Sequence, residues 1–419
     1  MSILQDKIFD YIDEHKEEVI RLLQKMIQFK SVMNNELDIQ EYLRDFFISM
    51  GAEVDFWFPD LDEISKHPSY CVTRDNFDKS PILVSKIKGA NQEKGKSLII
   101  NGHIDVVPEG IGWSVNPYEG VIKDGRIIGR GANDMKGGFA GAIMACKFLK
   151  DLGIKLNGDL IIESVIDEET GSAGSIAACM KGYKADAALI PEPTQYEVVI
   201  ANQGSTFFRI KTKGKIAHGA YHYLGVNAIE QGHKVMDILN RLEKKRQVEF
   251  YNPLFERFQI QAPISVGKFN AGSWPSMTPD LAVMEGRYGI TTRETVSEAK
   301  DYFIKFIMES VESDSWLNKN KPEIEWMEFW DSGETDRKAE IIKTVTNVYE
   351  ELENNSAAIV GWAAPTDLSI LTRFAHVPTV VYGPGNNSLH ASDEYIEIDD
   401  LIKYVKHVSL ILLNWCGVN

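Results

Sequence analysis

The 419-residue sequence predicts an α/β protein with a mostly parallel sheet flanked by helices and an α+β insertion. Three observations predict it. Short apolar β-type runs alternate with helix-period stretches through residues 1–203 and again from about 332, the pattern of βαβ units. Between them, 204–331 reads as a complete β-α-β-β-α-β set. Four apolar runs of the flanking parts end on His, Asp or Glu, and an open α/β sheet gathers its ligands beyond the carboxyl ends of its strands. Two domains are therefore expected, 1–203 with 332–419 as one split domain and 204–331 inserted into it. A chain of this length exceeds what one hydrophobic core usually serves.

The elements follow in order. Ile8, Ile12, Val19, Leu22, Leu23 and Met26 recur at helical spacing among mixed charges. They predict one amphipathic helix over the first 27 residues, neither a signal peptide nor a membrane span. A second helix is expected over 37–51, stopped by Gly51. Strands are expected near 52–57, 81–88 and 97–101. NDMKGGFAGAIMACKFLKDLG, from 133, predicts a helix to 151 capped by Asn133 or Asp134, with Gly153 past its end. Apolar runs at 160–166 and 187–190 are the next strands. In the insertion, STFFRIKTKGKI alternates like an exposed strand, and AIEQGHKVMDILNRLEKKRQ is an amphipathic helix. QAPISVGKF and LAVMEGRYGIT are strands, TVSEAKDYFIKFIMESVES is a second helix, and EIEWMEFW closes the set. A helix near 337–353 and a strand at 379–382 resume the alternation.

Hydrophobic content of 44% and charged content of 25% are those of an ordinary soluble globular protein. Lys and Arg number 45 against 61 Asp and Glu, a formal net charge of -16. That balance argues against nucleic acid or an anionic membrane as partner. It says little about substrate, because bound cations reverse the local potential of a site. Cys71, Cys146, Cys179 and Cys416 form no CxxC pair and read as core thiols of a reduced, cytoplasmic protein.

The strand ends carry the chemistry. KSLIINGHID puts His103 and Asp105 past a strand, and residues i and i+2 share a side. Asp105 can then accept a hydrogen bond from His103 and fix its tautomer. GDLIIESVIDEE puts Glu168 and Glu169 past another. Neighbours in an extended segment point apart, so one can bind metal while the other acts as general base to a water. ADAALIPEP ends on Glu192, and PTVVYGPGNNSLH on His390. GRGANDMKGG begins like a dinucleotide fingerprint, but Asp134 stands where the third glycine belongs and would set a carboxylate against a pyrophosphate. Taken singly, each residue has an ordinary explanation: a satisfied core histidine, a helix cap, a solvated acidic loop. Together, two His and several carboxylates from separate strand ends suit a pair of divalent cations, zinc foremost.

NGHIDVVP, GRGANDMKGG, DEETGSAG, PEPT, KGKIAHGAYHYLGVNAI and YGPGNNSLHASDEY run in family order from 101 to 395. They resemble the metal-dependent aminoacylase/carboxypeptidase family, which includes acetylornithine deacetylase, succinyl-diaminopimelate desuccinylase, aminoacylases and dipeptidases. The resemblance implies that Asp134 bridges two zinc ions, with cobalt or manganese as substitutes. His103 and Glu192 would complete one metal, Glu169 and His390 the other. Asp105 would support His103, and Glu168 would be the general base. His218, in KIAHGAY, would polarise the scissile carbonyl from a partner subunit, with His222 a nearby candidate. Arg287, in MEGRYGI, would hold a substrate carboxylate, and Asn270 would also contact substrate. GSWPSMTPD and APTDLSI depart from the family pattern and bear on substrate identity.

The implied protein is a dizinc amidohydrolase acting on an N-acylated amino acid or similar small amide, of the acetylornithine deacetylase/succinyl-diaminopimelate desuccinylase kind. Its insertion would serve as lid and dimerisation domain of a cytoplasmic homodimer. An aminopeptidase or dipeptidase shares the metal site and stays open as an alternative, as does a deformylase of an aminopyrimidine-type amide. A metal-stabilised binding module is the non-enzymatic alternative, against which a base at Glu168 argues.

Overall fold

The apolar runs Leu98–His103, Leu160–Val165, Ala187–Ile190 and Thr379–Val381 lie side by side as parallel strands at the centre of a nine-stranded sheet. Every residue of the four is buried, as a strand covered on both faces requires. Antiparallel strands extend the sheet, Ile82–Ile87 and Glu53–Trp57 on one side and Val198–Asn202 on the other. The computed structural model describes residues 2–71 and 74–418. The chain divides into two compact units. The first takes in the chain up to Ile200, Glu334–Val360 and the chain from Thr366; the second is Ala201–Gly333 with Gly361–Pro365.

In the first unit the helix Lys136–Asp151 packs on Leu98–His103, Lys16–Gln28 and Ile398–Cys416. Two glycines let it lie close to the strand ends. A Cβ on Gly102 would stand 2.5 Å from the Phe139 ring, and one on Gly138 would stand 2.0 Å from the Pro191 carbonyl oxygen. The helix starts at Lys136 with Met135 at its N-cap and no side-chain cap. The expected caps are otherwise engaged: Asn133 Oδ1 accepts the Asn386 N–H at 3.1 Å, and Asp134 faces two histidines. The expected single N-terminal helix is two, Ser2–Glu14 and Lys16–Gln28, because His15 leaves helical backbone at φ −110°, ψ 15°.

The second unit is a four-stranded antiparallel sheet in the order Ile264–Ala271, Leu281–Ile290, Gly204–Lys213, Glu323–Trp330. Its helices, Ala228–Glu249 and Val296–Ser310, cover one face around Phe208, Ile210, Leu239, Met284, Tyr288 and Phe303. Thr295 and Glu298 form a capping box that starts the second helix. Gly204–Lys213 is paired along both edges. Its alternating burial marks the open face of the sheet, as expected of an exposed strand. The sheet's outer strands are Ile264–Ala271 and Glu323–Trp330.

Candidate metal centre

Strand ends and two loops of the first unit bring His103, Asp105, Asp134, Glu168, Glu169, Glu192 and His390 together. His103 is the last residue of its strand and is 1% exposed. Its Nδ1 stands 2.9 Å from the Asp105 carbonyl oxygen, so it must donate there. Nε2 then stands 3.2 Å from Asp134 Oδ1 and 3.5 Å from Glu192 Oε1: protonated, it donates to them; deprotonated, it is the nitrogen free to bind a cation. The hydrogen bond from His103 to Asp105 runs to the carbonyl; the carboxylate Oδ1 stands 3.6 Å from Nδ1, and Oδ2 accepts the Glu169 N–H at 3.2 Å. On the other side of Asp134, Oδ2 lies 3.3 Å from His390 Nε2, which also meets Glu169 Oε2 at 3.0 Å. Each oxygen of Asp134 thus faces a different imidazole. Ligand atoms of His103, Glu168 and Glu192 fall within 4.8 Å of one another, as do those of His103, Asp134 and Glu169.

Electrostatics shows how much negative charge is confined here. Burial opposes the imidazolium of His103, yet hydrogen bonds to Asp134 and Glu192 outweigh it and hold its pKa well above the usual value. Hydrogen bonds to Asp134 and Glu169 push His390 up to about 10. Burial, then the nearby Asp134 carboxylate, push Glu192 up to about 8. Glu168 and Glu169 are raised mainly by burial. Burial would raise Asp134 too, but its two histidines win and lower it. Four crowded carboxylates against two imidazoles call for further positive charge. Imidazole and carboxylate without thiolate fit zinc, cobalt or manganese.

Sequence reasoning missed two residues that shape the Asp134 loop. Glu394 is fully buried and accepts the N–H groups of Gly131, Asn133 and Asp134 at 3.0, 2.9 and 3.0 Å, plus Arg130 Nη1 at 2.7 Å. An acid four residues after His390 was visible, but its partners lie some 260 residues away in sequence.

His218, Arg287 and Asn270 belong to the second unit. His218 is exposed, and its Nδ1 accepts the Ala220 N–H at 3.1 Å, which leaves the ring proton on Nε2. Arg287 is half-buried in Leu281–Ile290, opposite Ser265 and Phe207, and burial lowers its pKa. Asn270, opposite Val283, shares the open face of the sheet with it. A cavity of about 890 Å³ in this unit is lined by His222, Tyr223, Trp274 and Met277, among others.

Comparisons with known proteins bear on this geometry. A family model described as peptidase family M20/M25/M40 matches residues 99–414. The chain is 29% identical to the N-formyl-4-amino-5-aminomethyl-2-methylpyrimidine deformylase of Bacillus subtilis, over 97% of this chain and 96% of that protein. It is 25% identical to a protein of Staphylococcus epidermidis named as a probable succinyl-diaminopimelate desuccinylase, over 93% and 96% of the two. The crystal structure of aminopeptidase PepT from Bacillus cereus shares its fold, with a TM-score of 0.73 at 18% identity over 96% of this chain and 98% of that one. The chain therefore belongs to peptidase family M20/M25/M40 and is a metal-dependent hydrolase of amide bonds.

Proposed function

We propose that the protein removes a small acyl group from an N-acylated amine, with an N-formylated aminopyrimidine ahead of N-acyl amino acids. The observation that carries hydrolysis is Asp134, whose two oxygens face His103 and His390 at 3.2 and 3.3 Å. Within that chemistry, the deformylase likeness is both higher and longer than the desuccinylase one, 29% over 97% of this chain against 25% over 93%.

In this reading Asp134 would be shared by two divalent cations, with His103 and Glu192 holding one and Glu169 and His390 the other. Bound divalent cations supply Lewis acidity and lower the pKa of a water to near neutrality. Glu168 takes a proton from the attacking water and returns it to the leaving amine. His218, from a partner subunit, donates Nε2–H to the scissile carbonyl as its oxygen gains charge. The Ala220 N–H on Nδ1 keeps the proton where that role needs it. Arg287 and Asn270 bind substrate, and Asp105 holds His103. A cytoplasmic homodimer with zinc as its metal completes the proposal.

The test is hydrolysis of N-formyl aminopyrimidine, N-acetyl and N-succinyl amino acids and dipeptides by metal-depleted protein, with and without zinc or cobalt. Metal-restored cleavage of the formyl amide is expected. Cleavage of dipeptides alone would replace the deacylase by a peptidase. Mixed dimers of His218→Ala and Glu168→Gln chains should regain activity; inactive mixed dimers would refute action from the partner subunit.

A further inference from the structure

One buried cluster of the first unit has no part in the chemistry above. Arg74 is 4% exposed, and its Nε and Nη2 donate to Asp167 Oδ1 at 3.1 and 2.7 Å. Nη2 also reaches Glu36 Oε1 at 3.0 Å, while Ser80 Oγ donates to Glu36 Oε2 at 2.7 Å. Asp167 immediately precedes Glu168 and Glu169 and sits at φ +68°, a left-handed backbone. A non-glycine residue there persists when its surroundings hold it. Thr170 Oγ donates to the Asp167 carboxylate, and its carbonyl accepts the Gly171 N–H at 2.8 Å. Two residues after Asp167, the Glu169 N–H donates to Asp105 Oδ2 at 3.2 Å. This turn sends Glu168 toward His103 and Glu192, and Glu169 toward Asp134 and His390.

We infer that Arg74 is a positioning residue: its guanidinium locks the Asp167 turn and so aims Glu168 and Glu169 together, setting metal affinity and turnover without touching either. The inference rests on the reading of Glu168 as base and Glu169 as ligand. A planar guanidinium can serve Asp167 and Glu36 at once through separate N–H vectors, which a lysine's point charge cannot reproduce. Glu36, tied in turn by Ser80, holds the same Nη2 that bonds Asp167.

The experiment measures zinc affinity by competition with a chromophoric chelator, together with kcat and KM, for Arg74→Lys, Arg74→Ala, Asp167→Asn and the double variant Arg74→Lys/Asp167→Asn. Arg74→Lys is expected to weaken zinc binding about 10–100-fold and to lower kcat with KM little changed. The double variant should be no worse than the poorer single one, because both act through one turn. Millimolar guanidinium should restore part of the zinc affinity of Arg74→Ala where equal sodium chloride does not. If Arg74→Ala does not fold, Arg74→Lys with Asp167→Asn carries the test. Wild-type zinc affinity and kcat in both, or additive losses in the double variant, overturns the inference. A wild-type protein that binds zinc yet cleaves no amide would refute the functional reading, while the zinc series still decides the role of Arg74.

Discussion

In the first unit His103, Asp105, Arg130, Lys136, Glu192 and Glu394 are each no more than 4% exposed, and they crowd around the loops that follow the strands. In the second unit, the buried charged side chains among the described residues are Arg246, Glu294 and Asp331. Arg246 and Glu294 form a bidentate pair at 2.5 and 3.0 Å, and Arg246 Nη2 also donates to the Gly289 carbonyl at 2.9 Å. The second unit therefore buries one neutralised pair and the single further carboxylate of Asp331, beside an apolar core. The first buries an excess of carboxylate that its own cations do not balance. Burying unpaired charge is costly, and a fold bears that cost where chemistry needs it. The difference separates a unit built to hold cations from one built to hold its shape.

The largest effect should come from the centre of the excess. Glu168→Gln keeps the shape of the side chain and removes the proton acceptor. Turnover should fall about 10²–10⁴-fold, while metal analysis by atomic emission finds the same content as in the wild type. A metal-loaded variant with more than a few per cent of its activity left would remove Glu168 from the base role.

Arg246→Met probes the other side of the comparison. It leaves Glu294 buried without its guanidinium, and breaking such a pair costs about 3–5 kcal/mol. Urea unfolding should register that loss, and zinc affinity should stay unchanged. A zinc affinity that fell with stability would mean that the two units do not divide these tasks.

The contrast also has a pH signature. His407 of the first unit lies between the Tyr382 hydroxyl on Nδ1 at 2.7 Å and Glu353 on Nε2 at 2.9 Å. Burial lowers its pKa to about 4 despite the Glu353 contact. Above pH ~6.5 neither the folded nor the unfolded chain protonates it, and its contribution is whole. Between about 6.5 and 4 the unfolded chain takes up a proton that the fold refuses, so stability falls, by at most about 3 kcal/mol. Glu36 and Glu163, raised by burial to about 7, act with opposite sign, so the useful measurement is the difference between wild type and His407→Gln. The variant should lose less stability between pH 7 and 4.5. Parallel curves would place no proton-linked strain at His407.

What the sequence made legible follows from what is local. The sites at His103, Glu168, Glu169 and Glu192 could be read because each stands within a few residues of its apolar run, and His390 because only a Gly/Asn-rich loop separates it from Thr379–Val381. The β-α-β-β-α-β order of the second unit was legible for the same reason. Pairings across the chain were not: Glu394 with the Asp134 loop, and Arg74 with Asp167, join residues 260 and 93 positions apart. The alternation of Gly204–Lys213 marked its open face, but the strands that pair with it on either edge come from later in the chain. The break at His15 was hidden because the helical period continues on both sides of it.

The smallest effect belongs to the open face of the second unit's sheet. There Arg209, Lys211 and Lys213 on one strand meet Glu285, Glu325 and Glu323 on its neighbours. The ladder looks as well paired as Arg246 with Glu294, and a count of ion pairs would rank it higher. Its members are largely in water, where attraction is screened and two long side chains must be ordered to gain it. Lys213→Met should therefore leave the melting temperature where it was, at low and at high salt alike. Lys213 and Arg246 are in the same unit, each with a Glu partner, and differ chiefly in exposure: 55% for the Lys213 side chain and 0% for that of Arg246. A drop after Lys213→Met comparable to that after Arg246→Met would show that pairing itself, and not the burial of the pair, sets the value of charge in this unit. The contrast drawn with the first unit would then fail as well, since it rests on burial being what makes charge expensive.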